Sequence, residues 1–208
     1  MSDPTAPLGS GRARTARRER TTRETSIVIE LDVDGPVGVV STSTGLPFFD
    51  HMLDQIGRHG GFDLSIEATG DLHVDGHHTV EDVGILLGET FREALGDKAG
   101  VRRFASGLFP LDEALIEVAL DLSGRPFTAY DVPFGEVLPL GDPPFNPEMA
   151  EHFWQSFATA AGITLHVRKK AGTNTHHVVE ATFKGVARCL RDAVRVEGSG
   201  VPSTKGTL

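Results

Sequence analysis

The chain has 208 residues, 39% hydrophobic and 24% charged, with a net charge of −9 and one cysteine, Cys189. That is enough chain for one large domain or two small ones with a sizeable core. The composition excludes an internal disulfide, and no apolar run reaches the roughly 18–20 residues of a membrane span.

Residues 1–23 hold six arginines against two acids, Asp3 and Glu19, which leaves −13 on the remainder. A body that acidic is a poor general binder of nucleic acid. The segment "SGRARTARRERTTR" has the charge of a nucleic-acid arm, but it lacks aromatic residues. Residues 1–20 read instead as a disordered, solvated extension. They carry no apolar segment of the secretory kind, so a cytoplasmic location is expected.

From there the chain reads as a duplication, residues 21–100 and 101–196. "TSIVIELDVDG" (25–35) and "EALIEVALDLSG" (113–124) are alternating strands that end in a turn. A helical segment beginning at His51 runs to Gly60 and Gly61; its counterpart beginning at His152 runs to Gly162. Each is followed by a second alternating strand, "FDLSIEA" and "ITLHVRK". Each half then passes a glycine-containing turn into an adjacent histidine pair and a long amphipathic helix, expected over 79–96 and 177–195. Between the halves, "VPFGEVLPLGDPPFNPEMA" reads as an irregular connection. Residues 197–208 read as a mobile tail. The expected fold class is α+β: two similar halves, each a β-sheet with two helices packed on it, forming a sandwich.

The twin stretches "DGHHTVEDVG" and "TNTHHVVEATF" carry the chemistry. His77 and Glu81, like His176 and Glu180, stand four residues apart. At a helix start this puts imidazole and carboxylate on one face, able to chelate one ion. The neighbouring His78 or His177 points about 100° away and is placed to reach a second ion. One half therefore has too few ligands for a closed site, and halves or subunits must exchange them. The expected allocation gives one ion His77, Glu81, His152 and a histidine of the second pair. The other ion takes His176, Glu180, His51 and His78. Nitrogen and oxygen ligation without cysteine favours Mn, Fe, Co, Ni or Zn, and six-coordinate Mn²⁺ best leaves positions open. His59 and Gln55 fall on the face of His51, His73 lies in the loop before the first pair, and His166 reads as a solvent-facing strand residue.

The motifs "FFDHMLDQIGRHGGFDL", "DGHHTVEDVGI", "SGRPF", "NTHHVVEATFK" and "PSTKG" resemble those of the imidazoleglycerol-phosphate dehydratases of histidine biosynthesis, from about Arg20 to Leu208. The resemblance implies a manganese enzyme with two Mn²⁺ per active site. It converts imidazole glycerol phosphate to imidazole acetol phosphate through an imidazolate, diazafulvene-like intermediate. It also implies a shell of twenty-four identical subunits with active sites at their contacts. Matched to the family pattern, Glu24 is the acid/base. Arg103, Arg125, Lys184, Ser203 and Lys205 bind the phosphate, the tail over 197–208 closes on substrate, and Gln55 and His59 face the substrate. A metal-dependent hydrolase and a metal-stabilised storage assembly are the competing readings of the histidine clusters alone.

Overall fold

The computed structural model describes residues 13–35, 38–135 and 138–208. The first half holds β1 (Thr15–Thr21), β2 (Thr25–Asp32), β3 (Val40–Ser43), α1 (Pro47–Gly60), β4 (Asp63–Gly70) and α2 (His77–Leu95). The second holds β5 (Phe104–Leu111), β6 (Ala114–Asp121), β7 (Phe127–Asp131), α3 (Met149–Ala161), β8 (Thr164–Ala171) and α4 (Thr175–Ala193). The two sheets repeat one topology, β1-β2-β4-β3 and β5-β6-β8-β7, with a parallel pair only at the β3–β4 and β7–β8 edges. The expected α+β sandwich of two similar halves is the observed fold.

Alternation along the central strands decides which sheet face is covered. Ile27, Ile29 and Leu31 of β2 are buried, as are Ile116, Val118 and Leu120 of β6, while their neighbours point outward. The helices lie over these inner faces: α2 on β1 and β2, α1 on β3, α4 on β5 and β6, α3 on β7. They then pack on the helices of the opposite half, α1 on α4 and α2 on α3. The centre is aromatic, with Phe91, Phe153, Trp154, Phe157 and Phe183 in mutual contact and nearly all of their surface buried.

Local chemistry sets where helices begin and end. Asp75 accepts a hydrogen bond from the His77 backbone N–H, and Asn174 accepts from that of His177. The long helices therefore start at His77 and Thr175, about two residues earlier than the expected 79 and 177. The Asn174 cap and the Asp75 turn thus draw the histidine pairs into the first helical turn. α1 and α3 end alike, at Gly61 and Gly162 with φ of 66° and 67°, a left-handed conformation that glycine adopts without strain.

α2 packs tightly on α3 at Gly88. A Cβ there would lie 2.5 Å from the Phe157 carbonyl oxygen and 2.8 Å from Ala160 Cβ. Gly88→Val must push the helices apart. It is expected to cost about 1–3 kcal/mol, read as a lower midpoint in chemical denaturation.

The extension expected over residues 1–20 needs correction where the structure describes it; residues 1–12 lie outside the described residues. Thr15–Thr21 is strand β1, paired with β2 along its whole length. Its inward arginines are paired with acids on α2: Arg18 with Glu89 and Glu93 at 3.0 and 2.7 Å, and Arg20 with Asp82 at 3.2 Å. Arg14 holds Asp34 with two N–H groups and donates at 2.7 Å to the Val194 carbonyl of the second half. The arginines chosen by this edge are internal partners, which leaves the nucleic-acid reading without support among the described residues.

The tail also starts differently from expectation. Gly100 N–H donates to the Gly200 carbonyl, and the Glu197 and Gly198 N–H groups donate to the Gly100 carbonyl. Residues 197–202 are thus strapped to the loop before β5, and the Pro202 carbonyl accepts from Arg103 at 2.7 Å. The halves differ in their outer faces. That of the first sheet is polar, whereas Phe104, Leu108 and Phe127 on the second are 56%, 58% and 57% exposed. No helix among the described residues is long and apolar enough to cross a membrane.

Candidate active site

The seams between halves bring the predicted ligands together. On the α1–α4 seam, His51 meets His176 and Glu180. Glu180 Oε2 lies 3.6 Å from His51 Nε2 and 3.1 Å from His176 Nε2, and one donor atom from each residue falls within 4.8 Å of the others. On the α2–α3 seam, His77 Nε2 lies 3.6 Å from Glu81, and the His77 ring centroid is 4.8 Å from that of His152. Each cluster takes its helix-start pair from one half and its third histidine from the other, as the duplication suggested. Phe48 packs edge-on against His176, with ring centroids 5.0 Å apart, and walls one side of the first cluster.

Electrostatics favour the ionised form of Glu180 in the first cluster. Burial pushes the Glu180 carboxyl up, but its hydrogen bond and charge interaction with Lys184, and the charges of His51 and His176, outweigh this and hold it below its ordinary value. Lys184 Nζ lies 2.7 Å from Glu180, so it lines the same helix face. His59, near Lys184 and Arg188, is pushed down by burial and then by those two charges. Gln55 differs from expectation. It is 6% exposed, donates at 2.9 Å to the His51 carbonyl and lies 3.3 Å from His51 Nδ1. Its amide lies against His51, because the inward side of α1 at this turn is core.

The second histidine of each pair turns away from its own cluster. His78 Nδ1 lies 3.0 Å from Asp71, with Glu24 at 3.9 Å; His177 Nδ1 lies 2.7 Å from Glu113, and its Nε2 is 3.7 Å from Asp112. Both imidazoles are raised above their ordinary value, chiefly by those hydrogen bonds to Asp71 and Glu113. Glu113 is pushed down to about 2, first by His177 and then by backbone N–H donors. The expected place of His78 beside His176 is not met within one chain. A helix turn cannot swing it through 100° while Asp71 holds its ring.

The phosphate candidates also converge. Arg103, Arg125, Ser203 and Lys205 line one cavity of about 560 Å³. Arg103 donates to Asp121 with Nε at 2.6 Å and Nη2 at 3.0 Å, and with Nη1 to the tail carbonyl of Pro202. The hydroxyl of Ser123 accepts from the Arg125 N–H, which fixes the turn that presents Arg125. Lys184 is not among the residues of this cavity. Of the remaining histidines, His73 is exposed, and His166 is half-buried against Phe127 on the outer sheet face.

Comparison with known proteins decides what this constellation belongs to. The family model described as imidazoleglycerol-phosphate dehydratase matches residues 44–190, which include every residue of both clusters. The chain belongs to the imidazoleglycerol-phosphate dehydratase family. Curated imidazoleglycerol-phosphate dehydratases of Parafrankia sp. and Acidothermus cellulolyticus are 54% and 53% identical, covering 94% and 99% of this chain and 100% of each relative. The crystal structure of the dehydratase from Pyrococcus furiosus, in complex with (S)-C348, is 37% identical, with a TM-score of 0.78 over 92% of this chain and 100% of that one. That from Staphylococcus aureus is 33% identical, with a TM-score of 0.76 over 86% and 97%. As an imidazoleglycerol-phosphate dehydratase, the chain is a hydro-lyase of histidine biosynthesis.

The sequence reading missed Asp71 and Glu113. The signal for Glu113 was present: Glu24 and Glu113 each stand one residue before the equivalent strands β2 and β6.

Proposed function

We propose that the chain dehydrates imidazole glycerol phosphate to imidazole acetol phosphate with two Mn²⁺ ions per site, in the cytoplasm, at sites completed between copies of itself. The observation that carries this reading is the pair of cross-half clusters, His51–His176–Glu180 and His77–Glu81–His152. The donor set fits such an ion: imidazole and carboxylate donors lie close together, and Glu180 is held ionised despite its burial. A bound divalent ion supplies Lewis acidity and a template for the substrate's imidazole ring.

The side chains do the rest. Arg103, Arg125, Ser203 and Lys205 bind the phosphate through charge and hydrogen bonds, with Lys184 a further cation of the site. Asp121 fixes the orientation of the Arg103 guanidinium, and Gln55, beside His51 Nδ1, holds that ring toward the cluster. Glu24, half-exposed and 3.9 Å from His78, takes the proton from the carbon that keeps its hydroxyl. The C–O bond at the neighbouring carbon breaks, and that hydroxyl leaves as water after gaining a proton. Proton return to carbon turns the enol into the ketone.

Assembly follows from the outward histidines. His78 and His177 face away from the clusters of their own chain, so a second copy supplies what each cluster lacks. Phe104 and Leu108 on β5, and Phe127 on the opposite edge strand β7, offer apolar surface for contacts between copies, consistent with the twenty-four-subunit shell implied by the family resemblance. Incubating Mn²⁺-loaded protein with imidazole glycerol phosphate should give the ketone product. No ketone, alongside hydrolysis of a phosphate ester, would overturn the reading in favour of a hydrolase.

A further inference from the structure

The duplication sets Glu24 and Glu113 in equivalent places, yet the two have different surroundings. His78 Nδ1 is taken by Asp71, at 3.0 and 3.2 Å from its two oxygens, and Glu24 stands off at 3.9 Å. His177 Nδ1 is taken by Glu113 itself, at 2.7 Å. The cause lies one residue past the preceding strand in each half. Asp71 follows β4, while Gly172 follows β8. Gly172 has φ of 118°, and a Cβ there would fall 2.8 Å from Ala114 Cα, so no aspartate can stand in that place. The second half must orient its outward histidine from elsewhere, and the glutamate before β6 does so.

Glu113 is fully committed by this. Besides the imidazole it accepts the backbone N–H groups of Asn174 at 2.9 Å and Thr173 at 3.3 Å, which tie the β8–α4 loop to the start of β6. Glu24 makes no such side-chain bonds among the described residues. A carboxylate on Nδ1 keeps the proton there and leaves the lone pair on Nε2, the arrangement in which an imidazole is a good metal donor.

We propose that Asp71 and Glu113 are the positioning residues of His78 and His177, each fixing Nδ1 so that Nε2 faces a cation. The exchange of roles between halves is what leaves Glu24, and not Glu113, free for proton transfer. This rests on the two-metal reading above.

The test is Mn²⁺ titration of metal-stripped protein, with the number of ions per chain and the affinity of each class read by calorimetry. The parent should take up two ions per chain. Glu113→Ala should weaken one class by about 10–100-fold and spare the other. Asp71→Ala should also weaken one class only, and the double variant should weaken both. Glu113→Gln keeps a single acceptor oxygen, which serves either the Nδ1–H or the two backbone N–H groups and sets an amide N–H against the other, so it should recover only part of the loss. Two parental classes in Glu113→Ala overturn the inference alone. So does an equal loss of both classes together with a lower melting temperature of the metal-free chain, which would mark a loop-stabilising role. A parent that takes up no Mn²⁺ overturns the two-metal reading and this inference with it.

Discussion

Glu24→Gln should lower turnover of imidazole glycerol phosphate by about 10²–10⁴-fold while leaving Mn²⁺ affinity and the assembly state at their parental values. The amide matches the carboxylate in shape but cannot take a proton from carbon. Little else should change, because Glu24 lies between β1 and β2, with its side chain 52% exposed. Its local conformation is set by backbone bonds: the Glu24 and Thr25 N–H groups donate to the Thr22 hydroxyl at 3.1 and 3.0 Å. The checks are steady-state kinetics, metal titration and size-exclusion chromatography on the same preparation. A storage protein stabilised by metal would show no effect of this change. Parental turnover in the variant would remove Glu24 from the chemistry, whatever the metal does.

Much of the fold and of the candidate site was legible because duplication repeats its signals. The His-His-x-x-Glu stretch, the upstream histidine and the helix-ending glycine recur in order, so each half supports the reading of the other. Strand β1 was not legible by the same means. Its arginines and threonines carry no apolar alternation, and the covered face of an edge strand here is arginine paired with acid. The one available sign lay on α2, where Asp82, Glu89 and Glu93 follow one another at seven and four residues, a stripe on one helix face. Sequence spacing found that His78 diverges from His77, but not what it meets. That depends on Asp71, seven residues earlier across a turn. Gln55 shows the opposite limit. Its spacing from His51 placed it on the ligand's face of α1, yet the side chain is buried and its amide lies against His51.

Removing metal should have the largest effect of all. Chelation at neutral pH is expected to abolish dehydration, with activity returning on addition of Mn²⁺ and not of Mg²⁺. The imidazole-rich clusters are poor sites for an ion that prefers an all-oxygen shell. The fold of each chain should survive, because both clusters lie at helix ends outside the aromatic centre: His51, His152 and Glu81 are exposed, while Phe153, Trp154 and Phe183 are buried among themselves. Circular dichroism of the stripped protein should therefore stay near parental, and loss should appear in the assembly state and in catalysis. The outward histidines explain why these two go together. If His78 and His177 donate to ions on another copy, each ion is a cross-link as well as a reagent, and removing it breaks the contact and the site at once. Full activity in metal-free protein would refute the ligand assignments of both clusters. Loss of activity with the assembly unchanged would instead place all ligands of each ion within one chain, a geometry that requires His78 to leave Asp71.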